Sequence, residues 1–193
     1  MQNWMLQLVA VVVAGVVILI IASVNLRVQQ GSVATAQYQA AKTNQTDLVG
    51  LIDRDFRNIG AKYPNFVLPP ENAISKFDSA NGIFAFWAQT TPGQAPDSVI
   101  YQWSKSGKVL VDTAYVDAYS ISRSVNGNLA GGSAGAVTRF ELRLLDNDGD
   151  PVAVLSDTRQ IEVNLSLISS LGSSDFVETN DWETVIRPTA LAR

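Results

Sequence analysis

Hydrophobic positions fall along this chain in three regimes. From Met1 to Leu26 there is no charged side chain, and Leu8 to Val24 is almost wholly aliphatic until Arg27 ends the run. A helix rises about 1.5 Å per residue and a bilayer core is about 30 Å thick, so roughly 20 such residues cross it. The run predicts a membrane-embedded helix, because none of its faces offers the polar stripe that a soluble helix turns to water. A cleaved secretory signal fits less well: no Lys or Arg precedes the run, the run is long for a signal, and Ala22-Ser23-Val24-Asn25 is a poor cleavage site. Arg27 taken alone favours keeping the C-terminal side inside, although long C-terminal domains cross largely regardless of charge.

The second regime is amphipathic. Val28 to Asn44 is rich in Gln, Ala, Thr and Val, with Lys42 as its only charge and Gly31-Ser32 as its one soft point. Leu48, Leu51, Ile52, Phe56 and Ile59 then recur at three- and four-residue steps, which places them on one face of a helix. Asp47, Asp53, Arg54, Asp55 and Arg57 are assigned to the other face. If the helix persists through Gly31 it runs from near Asn3 to near Ile59, about 80 Å at the standard rise. Gly60 is a natural cap, and Pro64, Pro69 and Pro70 follow it.

Beyond Gly60 the period drops to two. Ile83 to Ala88 suits a strand buried on both faces or one lying beside the helix. Pro92-Gly93 and Pro96 interrupt regular structure. Val99, Tyr101 and Trp103 alternate, Ser104 to Gly107 reads as a turn, and Val109 to Val111 is expected to pair back as a hairpin. Tyr115 to Val125 is a further strand, and the Gly-rich stretch from Asn126 to Gly135 a flexible hairpin loop. Phe140, Leu142 and Leu144 alternate with Arg139, Glu141 and Arg143, the pattern of a strand with one wet face. Asp146 to Asp150 reads as a turn, Pro151 to Leu155 as a short strand, Ile161 to Leu167 as an alternating strand, and Trp182 to Ile186 as a last short strand before Pro188.

This order predicts an α+β fold: a long N-terminal helix, transmembrane in its first half, packed on an antiparallel β-sheet domain. The expected divisions are residues 1–27 for the apolar helix, 28–60 for its continuation, amphipathic from 47, and 61–193 for the β-rich globular domain. Leu48, Ile52 and Phe56 should form the helix side of the core. The remaining length is enough for one domain with a core of its own.

Composition removes more chemistry than it suggests. The chain has neither Cys nor His, so disulfides, thiol nucleophiles, Cys/His zinc sites and Ser-His relays are excluded. The formal charge is -4 and the basic residues are scattered, which argues against nucleic acid as a partner. Asp146-Asn147-Asp148-Gly149-Asp150 is the densest group of oxygen ligands, and Asp146, Asp148 and Asp150 make calcium the one candidate cofactor. Their register departs from an EF-hand, and Asp148-Gly149 between alternating strands is first a hairpin turn. The glycines of Asn126 to Gly135 lack the Lys-Ser/Thr and the strand-loop-helix setting of a phosphate cradle. Asp53 and Asp55, two residues apart on a helix beside Arg54 and Arg57, point in different directions and read as surface or docking charges. No serine or lysine sits in a catalytic motif, so the chain is not expected to be an enzyme.

The apolar N-terminal helix, the stretch Leu48 to Gly60 (LVGLIDRDFRNIG), the strand Phe140 to Leu144 before Asp-Gly, the alternating Ile161 to Leu167 and the closing Trp182-Glu-Thr-Val-Ile-Arg187 together resemble type IV pilin-like proteins. The similarity is narrowest to the W and J classes of minor pilins and type II secretion pseudopilins, and it covers nearly the whole length. It implies a filament subunit stored in the bilayer and later packed by its helix, through residues such as Val12, Val16, Leu19 and Ile20, against other pilin-like subunits. It further implies an inner-membrane assembly platform as partner and a globular domain in the periplasm or outside the cell. An aliphatic helix is at home in lipid and equally among like helices, so a membrane store and a filament core are exchangeable. The family usually carries a glutamate at the fifth mature position; if Met1 is the mature start, Met5 stands there, which within the family implies either a tip or initiating subunit or a divergent anchor protein. A membrane-tethered envelope binding module that forms no filament is the alternative.

Overall fold

The structure is a computed structural model and describes residues 2–60, 72–91, 93–111, 113–133, 136–170 and 177–191. Pro64, Pro69, Pro70, Pro92 and Gly135, to which turns or helix stops are assigned above, lie outside these residues.

One helix, α1, runs unbroken from Gln2 to Arg57 over 56 residues, about 84 Å at the standard rise. Gly31 does not interrupt it, and no atom lies within 4 Å of where a side chain at Gly31 would begin. Arg54 and Arg57 stand in the last turn, where cations complement the helix dipole. Gly60, with φ of 68°, then takes the left-handed conformation that ends a helix, and its N–H donates to the Trp87 carbonyl at 2.8 Å.

Eight antiparallel strands follow: β1 (Ile74–Asp78), β2 (Ile83–Ala88), β3 (Asp97–Val111), β4 (Ala114–Val125), β5 (Asn128–Gly132), β6 (Ala136–Leu145), β7 (Gln160–Ser170) and β8 (Val177–Ile186). They form one sheet in the order β1-β2-β3-β4-β6-β7-β8, with β5 also paired to β4. The β4–β6 junction is a single ladder pair, Tyr119 with Val137, so the sheet is hinged into two halves around the core. Trp103 of β3 and Phe140 of β6 close the gap edge to face, with ring centroids 5.1 Å apart.

The helix end and the inner faces of both halves share one core. Leu48, Ile52 and Phe56, four residues apart, are all buried there. Phe56 lies within 5.3 to 5.5 Å of the rings of Phe84, Phe86 and Tyr101, each edge-on. From β6 and β7 come Phe140, Leu142 and Leu144 and Ile161, Val163, Leu165 and Leu167, the inward residues of two alternating strands.

Several local expectations are corrected. Ser104 to Gly107 is no turn: β3 continues to Val111, and the irregularity is a bulge between Lys105 and Gly107 in its pairing with β4. A glycine after a strand of alternating residues marks a bulge as readily as a turn. Part of the Gly-rich loop is strand β5, folded back on β4 through Asn126-Gly127. Asp148-Gly149 does not close a tight hairpin, because Leu145 pairs with Gln160 and the connection occupies residues 146–159. Pro151 to Leu155 is not a strand; Pro151 makes one bridge to Leu145, and Leu155–Asp157 is a short 3-10 turn. β8 begins at Val177, earlier than Trp182.

Candidate functional site

Two features carry the chemistry of this molecule: the bare half of the helix and the joint where its other end enters the sheet. Val12, Val16, Leu19 and Ile20 are 51 to 70 % exposed, and their large aliphatic neighbours from Leu8 through Leu26 are 47 to 72 % exposed. Monomeric soluble proteins rarely expose contiguous apolar patches beyond a few hundred Å². Here the apolar surface wraps a helix on all sides. The helix is long and apolar enough to cross a membrane by length and composition, and none of its most apolar window is buried by the rest of the chain.

At the other end the helix is locked. Asp55 is 1 % exposed and lies in the apolar stripe, contrary to its assignment to the wet face. Arg123 of β4, also buried, donates from Nε to Asp55 Oδ2 and from Nη2 to Oδ1, the latter at 3.2 Å. The Tyr101 hydroxyl of β3 donates to Oδ2 at 2.9 Å, and the exposed Arg54 guanidinium stands 3.6 Å from Oδ1. A buried carboxylate is tolerable only when paired and hydrogen-bonded, and each Asp55 oxygen here has a donor. Burial, reinforced by the neighbouring carboxylate, pushes the Tyr101 phenol well above its ordinary range. Burial alone would lower Arg123, but the hydrogen bond and charge of Asp55 outweigh it and leave the guanidinium raised. The joint is thus a fixed ionic clamp with no titration near neutral pH from either of these two groups, and Asp55, Arg123 and Tyr101 are all withdrawn from solvent. Asp53, by contrast, pairs on the surface with Arg57 at 2.7 Å, as a helical four-residue step allows.

The three buried residues of the joint come from different parts of the sequence with different legibility. Asp55 follows Ile52 by three residues and precedes Ile59 by four, so its place in the apolar stripe could have been read from spacing. The inward place of Tyr101 follows from the alternation of Val99, Tyr101 and Trp103, whereas nothing near Arg123 marks it as a partner of Asp55.

Asp146 organises its own loop. Its Oδ1 accepts the backbone N–H of Asp148 and of Asp150, both at 2.9 Å, and its N–H donates to the Asp150 carbonyl at 2.9 Å. Those backbone donors, Asp150 foremost, hold its carboxyl below the usual carboxylate range. Asp148 and Asp150 are exposed. Among the described residues no three carboxylates converge on a point that could hold a metal ion.

A cleft of about 640 Å³ lies over the β3–β4 and β6 junction, lined among others by Asn81, Trp103, Tyr119, Thr138 and Phe140. Its cations are already engaged, Lys105 with Asp117 at 2.7 Å and Arg139 with Glu141 at 2.9 Å. No family model, no curated protein and no solved structure matches this chain.

Proposed function

We propose that this chain is a structural subunit of the pilin-like kind, akin to a minor pilin or pseudopilin, stored in a membrane by its first helix half and assembled through it into an envelope filament. One observation carries the reading: a single unbroken helix is bare and aliphatic over its first half and clamped into a sheet at its end. A helix that served only as a tether would need no rigid continuation into the core, since a flexible linker holds a domain at a surface equally well. A subunit that must place its domain at a set height and angle around a filament axis does need one. The aliphatic surface suits both lipid and a bundle of like helices, where packing is driven by close van der Waals contact and not by water. The W/J-class resemblance of Leu48 to Gly60 and of the C-terminal strand supports the same reading, and the inner-membrane assembly platform follows from it as partner. On this view the globular domain faces the periplasm or the exterior.

The chain has no cysteine, so single introduced thiols report contacts without background. Val12→Cys or Val16→Cys, oxidised in intact cells, is expected to give ladders of linked subunits, recovered with filaments sheared from the surface. A chain that stays monomeric under oxidation and never co-purifies with sheared filaments is a tethered binding module instead.

A further inference from the structure

Among the described residues no further strand pairs with the outer half of the β3–β4 hairpin. β2 pairs with β3 only through Gln102, and the Trp103 N–H still reaches the Gly82 carbonyl at 2.8 Å. From Ser104 to Val111, β3 has no partner on its outer edge among the described residues, and β4 meets β6 only at Tyr119 and β5 only from Ser122. What projects is a two-stranded arm, and on it Tyr115 is 70 % exposed, Leu110 41 % and Val116 36 %. An isolated two-stranded ribbon is marginal in water, and the unpaired backbone groups of a free strand edge are open to another strand.

The kind of cover follows from the backbone. The arm's free edge carries unpaired N–H and C=O groups, which lipid leaves unsatisfied at high cost, so a strand is the fitting occupant and a bilayer is not. Among the described strands, β1 and β8 end the sheet. β1 is five residues long, has an irregular register, and carries Lys76, a like charge for the arm. β8 is ten residues long and shows Asp181 and Glu183 on its wet face. Arg139, the cation whose field they share, is already held by Glu141.

Charge spacing matches as well. Lys105 and Lys108 are three residues apart in sequence, but the bulge brings them two ladder steps apart, opposite Tyr119 and Asp117, on one face. Asp181 and Glu183 are also two steps apart on one face, about 7 Å at strand rise. Lys108 makes no ion pair of its own among the described residues. We propose that residues 104–111 of one copy add as a strand to the free edge of β8 of a second copy, with Lys108, and Lys105 exchanged from its exposed and therefore weak pair with Asp117, set against Asp181 and Glu183. Because the two edges differ, the contact is head-to-tail and repeats into a row instead of closing a symmetric pair. The contact is independent of what the apolar helix packs against.

The test uses the full chain in non-ionic detergent, as two copies with different tags. One carries Leu110→Cys; the other carries Thr179→Cys or Val185→Cys. A bis-maleimide is expected to link the mixture through Thr179 if the strands run antiparallel and through Val185 if they run parallel. Lys108→Glu on the first copy should cut the yield roughly tenfold, the effect of turning an attractive cross-strand pair into a repulsive one, and the reversal of the residue it faces on the second, Asp181→Lys if the link is to Thr179 and Glu183→Lys if it is to Val185, should restore it. Circular dichroism of each variant shows that the sheet is intact. Folded variants that give no link with either partner, a link in the Leu110→Cys chain alone, or a yield insensitive to the charge reversal would each overturn the proposal. Failure of the Val12 and Val16 ladders alongside a positive result here would remove the filament reading and leave this contact standing.

Discussion

Asp55 on the helix and Arg123 on β4, 68 residues apart in the chain, meet as a two-point ion pair with both side chains withdrawn from water. This joint and the ring of aromatics around Phe56 fasten the end of the helix to β2, β3 and β4. Removing one partner strands the other as a buried charge, which costs about 3–5 kcal/mol. Asp55→Ala and Arg123→Ala are each expected to lose stability of that order in denaturant titrations followed by tryptophan fluorescence. The paired replacement Asp55→Leu with Arg123→Met should lose clearly less than the sum of the single changes, because no uncompensated charge remains.

Tyr101 supplies an alkaline signature. Its folded pKa is raised above the unfolded value of about 10, so its contribution is fully present below that pH and is lost as pH rises further. In an ultraviolet titration Tyr101 should ionise only when the domain unfolds, and Tyr101→Phe should remove that late step. The same variant leaves Asp55 one donor short and should cost about 2 kcal/mol near neutrality.

Asp146 supplies the acid counterpart. Backbone donors depress its folded pKa, so its contribution is present above the unfolded value of about 3.9 and lost as pH falls through the lower folded value. Thermal melts should show the wild type falling more steeply than Asp146→Asn below about pH 4. Amide exchange at Asp148 and Asp150 should speed up in the variant at neutral pH, where the two N–H groups have lost their carboxylate acceptor.

Two glycines should respond in opposite directions. A Cβ on Gly82 would sit 2.0 Å from the Trp103 carbonyl oxygen, at a φ of 63° that side chains rarely adopt. Gly82→Ala is therefore expected to cost more than about 2 kcal/mol and to lower the melting temperature. At Gly31 nothing lies in the way, and alanine in a helix interior is favoured by about 1 kcal/mol, so Gly31→Ala should slow amide exchange in the middle of the helix.

How much of this was legible depends on whether the signal was local. The apolar run is legible from length and composition, and it lies within one exposed helix; the stripe of Leu48, Ile52 and Phe56 and the alternation of Phe140 to Leu144 and Ile161 to Leu167 are periodic within a few residues, and each lies where its period puts it. Asp55 was misassigned because a carboxylate is ordinarily a surface residue, even though its spacing from Ile52 and Ile59 marked it as inward. Its partner was beyond reach, since nothing near Arg123 refers to residue 55. The bulge at Lys105 and Gly107 was mistaken for a turn because the same residue types serve both; which one forms is decided by the partner strand, whose register with β3 is a tertiary fact. For the same reason the connection over residues 146–159 could not be separated from a tight hairpin by Asp148-Gly149 alone.

The unbroken passage of α1 through its polar middle ties two orientations together. Each residue of an α-helix advances the azimuth by about 100° and the height by about 1.5 Å, and the clamp at Asp55 carries that phase into the sheet without slack. One alanine inserted near Thr43 would swing the whole domain by more than a quarter turn relative to the apolar half. Four would return it to within about 40° of its starting direction but raise it by about 6 Å. The molecule therefore behaves as a crank whose throw is set by the residue count between Arg27 and Leu48, and evolution could retune that count only in steps that nearly complete a turn.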